Sequence, residues 1–179
     1  MIRLLPALAA TLWLATAPMA ILAQTPADRD AAMAAVTDFR TAFEAGDLEG
    51  VLDAMPDALL DHIAKSSNMA PADARAEVLA QMSQEMEAVT VESVTMDLDE
   101  ARGGISPADR PYFVISTETI MRVPSRDRLR AVSDTLVLED GGSWYLMRVE
   151  TDESRSILAS IYPDLAGVDF ADGVVEPAP

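Results

Sequence analysis

Two carboxylates and an arginine, Glu118, Asp134 and Arg148, stand on three successive stretches of alternating apolar and polar residues. Reading Asp140-Gly141-Gly142 as a three-residue loop pairs Leu138 with Trp144, Leu136 with Leu146 and Asp134 with Arg148. A five-residue loop over residues 124–128 then sets Glu118 beside Asp134. In one row, repulsion between the two carboxylates favours a proton on one, while the arginine keeps the other ionised. That is the chemistry of a general acid or base. Read instead as an exposed cross-strand ion pair, the same row is worth under about 1 kcal/mol and performs no reaction.

His62, the single histidine, follows Asp61 and is the other catalytic candidate. A dyad also needs a nucleophile, and neither Ser66 nor Ser67 lies in a nucleophile motif. One imidazole without a spaced partner does not make a zinc site, the carboxylates lack calcium-loop spacing, and the chain has no cysteine. No phosphate loop, dinucleotide fingerprint or nucleophile elbow is present. The expectation is no metal and no cofactor. Of the ten methionines, Met33, Met55, Met82, Met86, Met96, Met121 and Met147 fall on apolar faces and read as core filler.

The elements that must position these residues change period midway. Thr25 with Asp28, and Pro26 at the first helical position, predicts a capped helix carrying Met33, Val36, Phe39 and Phe43 and closed by Gly46. Asp47 caps a second helix with Leu48, Val51, Leu52 and Met55, closed by Pro56. A third covers residues 58–65, and a fourth starts near Pro71 with Ala74, Val78, Leu79, Met82 and Met86 on one side. Strands follow over residues 90–98, 112–123, 131–139 and 144–150, with Gly103 and Gly104 read as a loop and a last helix within residues 153–161. Helices before an antiparallel meander predict an α+β domain with the helices on one face of the sheet.

Odd-numbered positions of the last three strands are uncharged and include Thr117, Thr119, Ser133, Thr135 and Tyr145. They are assigned to the helix-covered core. Even positions carry Glu118, Arg122, Arg130, Asp134 and Arg148 among Ile120, Val132, Leu136, Leu138, Trp144 and Leu146. They are assigned to the outside, where so large an apolar strip predicts a homodimer centred on Trp144, Leu136 and Leu146. With the faces swapped, Glu118, Asp134 and Arg148 would line the interior.

Residues 4–23 contain no charge, and Arg3 precedes them. This is the pattern of a secretory signal, cleaved after Ala23 or, by the rival small-x-small site, after Ala17. An uncleaved anchor is the competing reading, since about 20 apolar residues span a bilayer. Pro6 and Pro18 interrupt the run, and no cationic stop-transfer cluster follows. The expectation is a periplasmic or secreted protein with no membrane attachment once the signal is removed. Residues 24–162 form a single domain and residues 163–179 a flexible acidic tail. The formal net charge of −17 disfavours nucleic acid, whose phosphates require clustered cations.

The opening helix with Phe43-Glu44-Ala45-Gly46-Asp47-Leu48, the order of elements, and the closing Asp140-Gly141-Gly142-Ser143-Trp144-Tyr145 hairpin resemble a nuclear transport factor 2-like domain over about residues 28–150. The resemblance implies a cone in which N-terminal helices cover a strongly bent sheet. One departure is residues 56–68, which read as helical where that family has a short strand or hairpin. The family includes isomerases, dehydratases, ligand carriers and interaction modules, so the resemblance implies a fold and leaves function open. The reading carried forward is an exported, acidic binding protein that takes a small apolar ligand or a protein partner. The alternative is a small-molecule isomerase or lyase using Glu118 or Asp134.

Overall fold

A computed structural model of the chain describes residues 24–124 and 128–178. Residues 1–23, on which the expectation of a cleaved secretory signal rests, lie outside the described residues. Among those described, no helix is long and apolar enough to cross a membrane.

Helix α1 (Pro26–Ala45) begins at the expected capping box. The Thr25 hydroxyl accepts from the Asp28 amide at 3.1 Å, and the Asp28 carboxylate accepts from the Thr25 amide at 2.7 Å. It ends at Gly46, whose φ of 70° only glycine adopts without strain. Asp47 caps α2 (Leu48–Asp53) by accepting from the Gly50 amide. Pro56 then serves as the N-cap of α3 (Asp57–Ser66). Helix α4 (Pro71–Glu87) buries only Ala74 and packs on α2 and α3.

The strands are β1 (Thr90–Met96), β2 (Arg102–Ile105), β3 (Pro111–Arg122), β4 (Arg128–Asp140), β5 (Ser143–Val149) and β6 (Val174–Pro177), with α5 (Asp152–Ile161) between the last two. All pairings are antiparallel. β3 and β4 form the centre; β1 and β2 share the outer edge of β3, and β5 and β6 share the outer edge of β4. The result is an α+β domain whose curled half-barrel sheet carries the N-terminal helices, an architecture compatible with a cone.

Four expectations need correction. Gly103 and Gly104 are not a loop: they are strand residues of β2, paired with Phe113 and Tyr112. A Cβ at Gly103 would overlap the Gln24 side chain and one at Gly104 the Tyr112 hydroxyl, so these glycines mark close approach and not a turn. The hairpin loop has two residues and not three. Gly141 (φ 61°) and Gly142 (φ 89°) form it, so Asp140 pairs with Ser143, Glu139 with Trp144 and Leu138 with Tyr145. Shifting the register by one residue turns every side chain of β5 to the opposite face. At the β3–β4 hairpin Arg122 faces Arg128, so Glu118 pairs with Val132 and Asp134 with Ser116. Asp134 faces Val149 on β5, and the expected row of Glu118, Asp134 and Arg148 does not form.

The third correction concerns the outer face. Phe113, Ile115 and Val137 face α1, as the odd positions should, but they are joined there by the even-numbered Trp144 and Leu146 of β5; Phe113 and Trp144 lie 5.8 Å apart, centroid to centroid. Leu136 and Leu138 point the other way, together with Met147 and Val149, and are fully buried beneath Leu158, Tyr162, Leu165 and Phe170. Of the strip assigned to a dimer surface, Trp144 and Leu146 thus pack on the α1 side and Leu136 and Leu138 beneath the C-terminal segment, while Ile120 and Val132 are half-buried. The fourth correction is the tail. Residues 163–178 are built into the fold: Leu165 is fully buried, Phe170 nearly so, and β6 extends the sheet. Three apolar residues in succession, Leu136-Val137-Leu138, carry the signal for this arrangement, because a strand covered on both faces loses its alternation.

Candidate functional site

Between α1, α2, α4 and the concave face of the sheet lies a cavity of about 440 Å³. Its roof is apolar. Phe39 and Phe43, one helical turn apart on α1, stack with centroids 6.0 Å apart; Val51 of α2 and Met82 and Met86 of α4 complete it. Because α4 rests on the other helices and buries little of its own surface, its apolar stripe stands off the sheet. That leaves the space unfilled.

The floor is mixed. β1 gives Val94 and Met96, opposite Thr119 and Thr117 of β3, so these side chains share a face. The Thr117 and Thr135 hydroxyls are 2.7 Å apart. Thr135 lies directly across from Arg148, whose Nε donates to the Ser133 hydroxyl at 2.9 Å and whose Nη2 meets Glu150 at 2.7 Å. Hydroxyls and one guanidinium therefore run diagonally across β3, β4 and β5 beneath an apolar roof. Besides Arg148, the one ionisable lining residue among those described is Glu85, an exposed rim residue that accepts from Gln81.

An open groove of about 650 Å³ adjoins the cavity and shares Phe43, Met86, Val89, Val91 and Val94 with it. It holds Glu92, at the bulge of β1. The hydrogen bond from Arg128, opposed by burial and reinforced by Arg122, keeps this carboxyl below its ordinary range.

The structure separates the other candidates from this cavity. Glu118, on the opposite face, accepts from Arg130, which also bridges to Glu176 of β6. Asp134 is buried on that face too, where it accepts from Arg102 at 2.7 Å and from the Ala171 amide at 2.8 Å, so it anchors the C-terminal segment. His62 is half-buried on α3, outside the cavity lining. Tyr145, expected among the interior hydroxyls, packs with the C-terminal core. Thr117, Thr119 and Thr135 do line the cavity. Of the methionines read as filler, Met96 and Met147 are buried and Met33 is exposed; Met55, Met82, Met86, Met96 and Met121 form cavity wall. The face assignment puts Arg148 outside and only the swapped-face alternative puts it inside, because its direction depends on the register of a two-glycine turn.

An apolar roof over a floor of hydroxyls and one guanidinium suits holding a molecule with an apolar body and a polar edge. Comparison of the chain with family models, with curated proteins and with solved structures yields no match.

Proposed function

We propose that this chain is an exported binding protein of nuclear transport factor 2-like fold that holds a small, largely apolar ligand between its helices and its sheet. The observation that carries this reading is the cavity itself. Its volume falls in the about 300–1,000 Å³ range of small-molecule sites, and apolar walls with a few convergent polar groups are their usual composition. The methionines favour binding over mere packing, since flexible thioethers adapt to a guest without strain. Supporting the fold are the capped first helix, the order of elements and the Gly141-Gly142 hairpin; supporting export is the uncharged run after Arg3. The isomerase or lyase reading loses its two acids to ion pairs on the far face.

A neutral fluorescent probe, N-phenyl-1-naphthylamine, tests the binding reading. Its emission rises and shifts to the blue on addition of the protein. Met82→Trp combined with Thr119→Trp fills the space and weakens probe binding at least about tenfold, or about 1.4 kcal/mol. Met33→Trp, on an exposed face of α1, leaves it unchanged. A probe that ignores the wild type, or binds the filled variant equally well, contradicts the proposal.

A further inference from the structure

Resting on that reading, we propose that the ligand is an aliphatic monocarboxylate, a free fatty acid, with its chain under the methionine-bearing helices and its carboxylate at Arg148. The cavity has two unlike sides, and each selects a part of such a molecule. The roof and walls from Phe39, Phe43, Met55, Met82 and Met86 offer unbranched or aromatic surface that follows a flexible chain.

On the floor, Arg148 is the single cation lining the cavity among the described residues, and its side chain is half exposed, so it stands at the mouth. A head group there keeps part of its hydration, which keeps the cost of binding an anion low. The guanidinium is already oriented: Nε is committed to Ser133 and Nη2 to Glu150, while Nη1 has no partner among the described residues. Beside it, two hydroxyls 2.7 Å apart share one hydrogen bond, so of the two protons on Thr117 and Thr135 one remains to be donated. With Thr117 as the donor in that bond, the free O–H is on Thr135, directly across from Arg148, and one guanidinium N–H with one O–H matches the two oxygens of a carboxylate. Glu85, the lining acid, is on the α4 side, which leaves the anion one favourable end.

Long-range electrostatics argue the other way, and that makes the test sharp. A chain of net charge −17 attracts cations and repels anions. A preference for the anion therefore has to come from the local site. Displacement of N-phenyl-1-naphthylamine from the full mature chain in about 0.15 M salt compares decanoate, decanol and decylammonium, all below their aggregation limits. Decanoate displaces the probe at least about fivefold more tightly than the other two. In Arg148→Gln the decanoate-to-decanol ratio falls to about one, whatever happens to both affinities, and Thr135→Val narrows it partway. Decanol or decylammonium competing as well as decanoate, or a ratio unmoved by Arg148→Gln, overturns the carboxylate assignment while probe binding still stands. A chain that binds neither probe nor any of the three overturns this inference together with the function on which it rests.

Discussion

A chain ending at Tyr162 does not fold cooperatively at 25 °C. Residues 163–178 look expendable by composition, yet they carry Leu165 and Phe170 into the core beside Leu136, Leu138 and Val149. Each such side chain contributes about 1.5–3 kcal/mol by burial. Removing both also re-exposes the apolar face of β4. The cut further takes the Ala171 amide from the buried Asp134, Asp164 from Arg110, and β6 from the edge of β4. The combined loss, upwards of about 4 kcal/mol, is comparable to the whole stability of a domain of about 5–15 kcal/mol. Circular dichroism of the truncated chain shows a broad, non-cooperative melt, and Leu165→Ala alone in the full chain costs about 2–5 kcal/mol. A truncated protein that melts within a few degrees of the full chain contradicts this.

Arg110→Met destabilises the domain by about 2–4 kcal/mol at neutral pH, short of the about 3–5 kcal/mol of a fully buried pair because Asp140 is partly open to water. Arg110 joins four groups that are distant in sequence. It donates to the Glu139 carbonyl at 2.6 Å, to Asp140 at 2.9 Å and to Asp164 at 3.2 Å, and it lies 4.7 Å from the centroid of the Tyr162 ring. Burial lowers the guanidinium's affinity for its proton, but Asp140 and Asp164 outweigh that and raise it. Methionine keeps the volume and strands Asp164, whose side chain is 15% exposed. Lysine rescues only in part, since a point charge does not reach three acceptors at once.

The same cluster sets how stability depends on pH. Burial pushes the Asp164 carboxyl up, but the Ser106 hydroxyl, its own backbone and Arg110 together hold it below its ordinary range. A folded value below the unfolded value of about 3.9 means stabilisation that is present above that pH and is lost as pH falls through the folded value. In Arg110→Met the burial is less opposed, so acid unfolding begins at a higher pH than in the wild type. Tyr162 works at the other end. Burial first, then its hydrogen bond to Asp140, raises its pKa, so its contribution is complete below about pH 10 and is lost on further alkalinisation. An unchanged acid midpoint in Arg110→Met shows that Asp164 does not need its arginine.

Local chemistry made part of the fold legible. Thr25, Pro26, Asp28 and Gly46 announce both ends of α1 through capping geometry that depends on neighbours in sequence alone. The alternation of Phe113, Ile115 and Thr117, and of Ser133, Thr135 and Val137, assigns the inner faces of β3 and β4 correctly. What failed depends on partners remote in sequence. Gly103 and Gly104 look like a turn unless one knows that Gln24 and Tyr112 lie over them. The tail looks loose because Leu165 and Phe170 are isolated apolar residues whose partners come from β4, β5 and α5. The β5 error was one residue in a loop, where both Gly141 and Gly142 take positive φ. That one residue moved Trp144, Leu146 and Arg148 to the cavity side and took Arg148 away from Asp134, while the β3–β4 connection, with Arg122 opposite Arg128, separated Glu118 from Asp134. Thr117, Thr119 and Thr135 were legible as interior hydroxyls, and Arg148 as their neighbour was not.

Methionine methyl groups provide the most direct measurement of ligand binding in the cavity, because they sit both inside and outside it. With ¹³C-methyl methionine in a chain that starts at Gln24, titration with N-phenyl-1-naphthylamine followed by heteronuclear NMR reports each site separately. Met55, Met82, Met86, Met96 and Met121 line the space, while Met33 and Met69 are exposed elsewhere. The account predicts saturable shifts at the lining set with Met33 and Met69 unmoved. Shifts confined to Met33 and Met69, or no shift at any methionine while the probe is bound, would contradict it.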